Sequence, residues 1–76
     1  MRNDRVLLVD DEEEFVEALS TRMETRGLSV EVVHSGEDAV RKVKEMGFDA
    51  VILDLAMPGM DGIETLRALR DLQPDL

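Results

Sequence analysis

Acidic residues follow two short apolar segments of this chain. Residues 6–9 lead into Asp10 and Asp11, and residues 50–53 lead into Asp54. Ligands of parallel α/β sheets bind at the carboxyl ends of the strands, so two neighbouring strands would bring the three carboxylates together. Like charges at that distance repel one another unless a cation lies among them. Because a small set of oxygen ligands suits Mg²⁺, the acids indicate a magnesium site and phosphoryl chemistry on or beside a carboxylate.

A simpler interpretation of the same acids is structural. Asp54 could cap the loop after its strand, and Asp10 and Asp11 could extend the run of acids 12–14 at a helix start, where negative charge complements the helix dipole. For residues 12–14 we adopt that structural interpretation.

The spacing of apolar residues predicts alternating strands and helices. Residues 6–9 and 50–53 have the continuous apolar pattern of strands buried on both faces, and residues 28–32 alternate like an edge strand. Three amphipathic helices separate and follow these strands. Their apolar stripes are formed by Phe15, Val16, Leu19 and Met23, by Ala39, Val40, Val43 and Met46, and by Ile63, Leu66, Leu69 and Leu72.

Capping and turn residues mark the ends of these elements. Gly27 stands where a left-handed helix end is expected, and Gly47 is expected to close the second helix. Residues 35–38 form a capping-box-like sequence, residues 57–62 form a Pro- and Gly-containing loop, and Pro74 stops the third helix. The resulting order βαβαβα predicts a parallel sheet with right-handed crossovers.

Composition excludes several classes of protein. The 76 residues contain 18 acids and 9 bases, for a net charge of −9, and no cysteine. An acidic segment without a basic face is not expected to contact nucleic acid. No disulfide framework or thiolate metal site is available. Because we find neither a signal-peptide pattern nor a membrane-spanning run, we expect a cytoplasmic protein with no membrane contact.

Two motifs resemble the receiver domain of two-component response regulators. They are residues 7–12, LLVDDE, and residues 52–62, ILDLAMPGMDG. The resemblance implies a flavodoxin-like (CheY-like) doubly wound parallel sheet with strand order 2-1-3 in the part present. A receiver has five βα units, so residues 1–76 are expected to be the three N-terminal units, with the fourth and fifth lying beyond Leu76.

The resemblance also implies roles for individual residues. Asp54 would be the phosphoacceptor, Asp11 a direct Mg²⁺ ligand, Asp10 an outer acid that binds through water, and Ala56 a ligand through its backbone carbonyl. A sensor histidine kinase or histidine phosphotransfer protein would donate the phosphoryl group, and an output domain or target would respond. The chain would be a signalling domain rather than an enzyme. His34 is expected to be an ordinary loop residue.

Residues expected from the family's later strands have no counterpart in this sequence. A Ser or Thr and a Lys would contact the phosphoryl group, and neither Lys42 nor Lys44 matches that position. We therefore expect residues 1–76 alone to accept phosphate poorly. A second hypothesis is a phosphorylation-incompetent module that binds partners or self-associates, most simply as a homodimer through the uncharged edge of the third strand.

A third hypothesis is a phosphatase with an Asp nucleophile, as in haloacid-dehalogenase-like enzymes. Those enzymes carry a second Asp two residues after the nucleophile. Ala56 occupies that position here and has no side chain for acid–base chemistry. The sequence therefore disfavours this hypothesis.

Overall fold

Strands and helices alternate along the chain in the computed structural model, which describes residues 4–54 and 62–74. The strands are β1 (Arg5–Val9), β2 (Ser29–Val33) and β3 (Ala50–Leu53). The helices are α1 (Glu13–Glu24), α2 (Gly36–Glu45) and α3 (Gly62–Leu72). The predicted order βαβαβα is confirmed. The predicted loop at 57–62 and the backbone of Ala56 lie outside the described residues, apart from Gly62.

The three strands form one parallel sheet in the order β2-β1-β3. Leu8, in the middle of β1, pairs with Val32 on one side and Ile52 on the other. All four residues from Val6 to Val9 are buried, because β1 has a strand on each side and helices above and below. The predicted flavodoxin-like strand order 2-1-3 is confirmed.

Helices cover both faces of this sheet, as expected for a doubly wound fold. On one face, Leu7 and Val9 of β1 form the main core with residues of α2, of α3 and of the segment before β3. These partners are Ala39, Val43, Phe48 and Leu69. On the other face α1 packs towards β2. None of the helices in residues 4–54 and 62–74 has the length and apolarity of a bilayer-crossing segment.

The α1 face of the sheet is only partly covered. A groove of about 470 Å³ runs between α1 and the β1–β3 pair, and we call it the α1 groove. Phe15 at its rim is 55% exposed and Ile52 on its floor is 48% exposed. Its apolar lining comprises Leu8, Val9, Phe15, Val16, Leu19, Ile52 and Leu53.

One burial prediction fails at this groove. Burial of β3 on both faces was predicted but is wrong, since Ala50 and Ile52 are exposed while Val51 and Leu53 are half-buried. The physical reason is that α1 lies over the β2 side of the sheet and leaves β3 open. In the α1 stripe, Val16 alone is fully buried.

Most of the predicted helix ends are confirmed, including that of α3, which ends at Leu72, two residues before Pro74. The Ser35 side chain accepts a hydrogen bond from the Asp38 amide at 3.1 Å, which caps α2 as expected. Gly27 has φ +90°, a conformation that other residues rarely adopt. The second helix ends at Glu45, close to Gly47 as predicted, but an extended Met46 forms the C-cap, and among the described glycines only Gly27 has positive φ.

A side-chain clamp fastens the end of α3 to the segment before β3. The Gln73 amide accepts a hydrogen bond from the Phe48 backbone N–H at 3.1 Å and donates one to the Phe48 carbonyl at 2.5 Å. The side chain therefore satisfies both polar groups of one buried residue's backbone. Without it, these groups would have no strand or helix partner among the hydrogen bonds of the described residues.

Candidate metal centre

Asp10 is held at the carboxyl end of β1 by contacts to both its backbone and its side chain. Its amide donates to the Val33 carbonyl at 3.2 Å and so continues the β1–β2 ladder by one residue. Its carboxylate Oδ1 accepts from the Glu12 amide at 2.9 Å. That contact closes a local Asx-type turn and leads the chain into α1. The other carboxylate oxygen of Asp10 has no hydrogen bond to any residue that the structure describes.

Asp54 occupies the equivalent place on β3. Its amide donates to the Val9 carbonyl at 2.9 Å, so the last rung between β1 and β3 fixes its position. Asp10 and Asp54 are half-buried, whereas Asp11 is exposed. Backbone hydrogen bonds to a neighbouring strand thus fix two of the three acids, Asp10 through β2 and Asp54 through β1, and Asp11 follows Asp10 directly in sequence.

The predicted convergence of acids is present in the described residues. Asp10, Asp11 and Asp54 each place one carboxylate oxygen so that these oxygens lie within 4.8 Å of one another. Oxygens on opposite sides of a Mg²⁺ ion lie about 4.2 Å apart, twice the Mg–O distance. The cluster therefore matches the size of a magnesium site with at most a small closure or a bridging water. Its all-oxygen donor set also matches that ion, so the residues fit.

His34 is the feature at this site that sequence reasoning missed. It was expected to be an ordinary loop residue, yet its ring Nδ1 lies 3.0 Å from the carbonyl oxygen of Asp10. A signal was available, because His34 directly follows β2 and Val33 pairs with Val9, directly before Asp10. Residues that follow paired positions of parallel strands share one edge of the sheet.

The acids that follow Asp11 have the expected structural role. Glu13 and Glu14 lie in the first turn of α1, where they complement the helix dipole. Glu12 stands at the N-cap position, with no side-chain hydrogen bond to the helix. Glu12 contributes to the site through its backbone N–H, which donates a hydrogen bond to the Asp10 carboxylate.

A family model for the response regulator receiver domain matches residues 6–76. The chain belongs to this family. The resemblance noted in the two motifs is therefore confirmed, and it extends over nearly the whole sequence. The roles of the individual acids are not tested by this match and stay predictions.

Curated relatives carry names consistent with this family. The transcriptional regulatory protein TrcR of Mycobacterium tuberculosis is 40% identical over 88% of this chain, and the CpxR homolog of Haemophilus influenzae is 44% identical over 87% of it. These matches cover 26% and 29% of the relatives' own lengths. The receiver therefore spans between a quarter and a third of the relatives that it matches.

Solved structures share the fold of this receiver. The response regulator TrrA of Thermotoga maritima, crystallised with Mg²⁺-BeF, has a TM-score of 0.87 and 35% identity, covering 95% of this chain and 63% of its own. A crystal structure of histidine kinase ThkA in complex with TrrA gives the same score and identity, covering 95% of this chain and 62% of the matched one.

Proposed function

We propose that this receiver accepts a phosphoryl group on Asp54 in a Mg²⁺-dependent phosphorelay. The observation that carries the proposal is the convergence of three carboxylate oxygens within 4.8 Å at the ends of two adjacent strands. Asp10, Asp11 and Asp54 would hold the ion, together with the carbonyl of Ala56, which lies outside the described residues. The Mg²⁺-BeF complex of TrrA supports this assignment by similarity.

The chemistry assigned to the chain is nucleophilic attack by a carboxylate. An Asp54 oxygen forms the new O–P bond while the N–P bond of a phosphohistidine breaks and its electron pair returns to the imidazole. The backbone rung to Val9 holds Asp54 in place for in-line attack. Mg²⁺, when bound, supplies charge neutralisation for the oxygens of the phosphoryl group and the carboxylate.

The proposed donor is a sensor histidine kinase or a histidine phosphotransfer protein. The complex of ThkA with TrrA supports a kinase as partner, because TrrA has the same fold. The relatives are named as transcriptional regulators, which supports an output on transcription carried by another part of the protein. Direct nucleic-acid contact by this segment is not proposed, given its net charge of −9. Its cytoplasmic location stays a prediction.

Phosphorylation with phosphoramidate, followed by intact-mass spectrometry, tests the proposal. In the protein as encoded, we expect a mass gain of one phosphoryl group in Mg²⁺ and none in EDTA. Asp54→Asn should abolish labelling. The matched control is Asp71→Asn, which makes the same substitution at an exposed acid of α3 and should label like the wild type.

The same experiment can contradict the proposal. Labelling of Asp54→Asn at the wild-type rate would show that another residue accepts the phosphoryl group. Labelling that is unaffected by EDTA would show that the acid cluster works without a divalent ion. The expectation that residues 1–76 alone label poorly is measured in parallel against the same phosphodonor.

A second candidate function is self-association. The α1 groove favours it, because Phe15 and Ile52 present apolar surface beside a β3 edge whose partner among the described strands is β1 alone. The occupant that we propose is a second copy of the chain, with β3 edges paired about a two-fold axis.

A further inference from the structure

The carbonyl of Asp10 belongs to the peptide that joins two of the three clustered acids. A peptide unit is planar, so the direction of its oxygen fixes the rotation of the entire plane between Asp10 and Asp11. That rotation sets the backbone angles from which both acidic side chains leave the chain. A hydrogen bond to this one oxygen therefore orients two of the acids at once.

The backbone ladder does not supply that hydrogen bond. At one end of the β1–β2 ladder, the Ser29 amide donates a hydrogen bond to the Asp4 carbonyl. At the other end, the Asp10 amide donates one to the Val33 carbonyl. The next rung would bring the Ser35 amide to the Asp10 carbonyl. Ser35 instead caps α2 with an extended backbone, and the ring of His34 lies 3.0 Å from that carbonyl in its place.

We propose that His34 is a positioning residue for the metal centre, acting through the Asp10 carbonyl; this inference rests on the proposed function. A carbonyl oxygen only accepts, so Nδ1 of His34 carries the hydrogen and donates it. The ring thereby replaces the missing rung of the ladder. Asp10 is then held by three hydrogen bonds. Its Oδ1 accepts from the Glu12 amide, its own amide donates to the Val33 carbonyl, and its carbonyl accepts from the His34 ring.

Partners that orient metal ligands from behind are known to change metal affinity when removed. The usual loss is about 10–100-fold. The contact here is exposed and reaches the acids through a backbone carbonyl, so we expect a smaller loss of about threefold to tenfold. Removing a ring that can carry positive charge would by itself favour cation binding. A loss of affinity therefore has the opposite sign to a simple charge effect.

A series of His34 variants separates positioning from bulk. His34→Asn places an amide donor where Nδ1 stood, His34→Gln places one nearer the position of Nε2, and His34→Ala has none. Titration with Mg²⁺, followed by NMR of the Asp11 and Asp54 amides, should show weaker binding for His34→Ala and His34→Gln. His34→Asn should bind within about twofold of the wild type.

Ser35→Ala is the matched control. It removes the side-chain cap of α2 one residue away and leaves the Asp10 carbonyl untouched. We expect it to lower stability without changing the Mg²⁺ dissociation constant. In the metal-free wild type, the ring ¹⁵N shifts of His34 should also report a hydrogen on Nδ1, with a coupling across the hydrogen bond to the Asp10 carbonyl carbon.

The outcomes distinguish this inference from the proposed function. Failure of the wild type to bind Mg²⁺ would overturn both. Wild-type binding that His34→Ala leaves unchanged would overturn the positioning role alone, as would an equal loss in Ser35→Ala. Loss in His34→Asn equal to that in His34→Ala would show that the ring acts by its bulk and not by its donor.

Discussion

Asp11→Asn should stabilise the protein in the absence of metal and lose the stabilisation that Mg²⁺ provides. The substitution keeps the size of the side chain and removes one of three negative charges that lie within 4.8 Å of one another. Asp11 is exposed, and no hydrogen bond or ion pair of its side chain is among the contacts of the described residues. The change therefore tests charge repulsion with little loss of packing.

The distance sets the expected size of the effect. Two unit charges 4.8 Å apart repel by about 0.9 kcal/mol in bulk water and by about 3.5 kcal/mol at an effective dielectric constant of 20. Asp11 is exposed, so the water value applies more closely. Repulsion from Asp10 persists in the unfolded chain because the two are adjacent, and largely cancels. The remaining pair, with Asp54, gives a gain of about 1 kcal/mol in the free energy of unfolding.

Urea unfolding in EDTA and in Mg²⁺ measures both halves of this prediction. In EDTA at low salt, Asp11→Asn should be more stable than the wild type, and the difference should shrink in high salt as screening increases. In Mg²⁺ at ten times its dissociation constant, the wild type should gain about 1.4 kcal/mol, and the variant much less. The stabilities of the wild type and of Asp11→Asn should therefore become equal or change order when Mg²⁺ is added.

Glu17→Gln is the control for this experiment. It makes the same change of formal charge on an exposed position of α1, outside the acid cluster. If Asp11→Asn is no more stable in EDTA than Glu17→Gln, the clustered carboxylates do not repel as their distances require. An equal response of both variants to Mg²⁺ would show that the ion does not bind at the cluster.

Two further predictions concern packing. In sedimentation velocity, the wild-type chain should form dimers as its concentration is raised through the micromolar range. The variant Ile52→Lys, at the exposed position of the β3 edge, should stay monomeric. A wild-type chain that is monomeric at every concentration would refute self-association. Gln73→Leu should lower the free energy of unfolding by about 1–3 kcal/mol, because it leaves both backbone groups of Phe48 without their partners. A change in urea midpoint equivalent to only a few tenths of a kcal/mol would show that the clamp is replaceable.

The sequence predicts the alternation of strands and helices and the positions of the acids because both depend on local patterns, whereas the strand order 2-1-3 followed from the resemblance to receiver domains. Continuous apolar runs mark the strands, and the residue after each run is at the sheet edge by necessity. The period of the helices is also local, which explains why their number and approximate bounds are predictable. Ser35 and Gly27 were predictable for the same reason, since each cap depends on a few neighbouring residues.

Features that depend on how elements pack were not predictable. The exposure of Ile52 follows from where α1 crosses the sheet, and no residue of β3 encodes that position. Gly47 has ordinary backbone geometry because an extended Met46 already ends α2. To predict the contact of His34 with Asp10, one would need to know that the β1–β2 ladder stops one hydrogen bond early. That depends on the cap of α2 and not on the histidine.

The central position of β1 has a consequence for how this molecule folds. β1 precedes both of its neighbours in sequence, and Val9 pairs with Leu53, 44 residues later. At 5–20 residues per second, a ribosome takes roughly 2–9 s to add that length. During that interval β1, the most buried strand, has at most one side paired, and the acids of the cluster are still separate. The ion site therefore exists only once β3 has paired with β1, so Mg²⁺ would distinguish a nascent chain in which β3 has joined the sheet from one in which it has not.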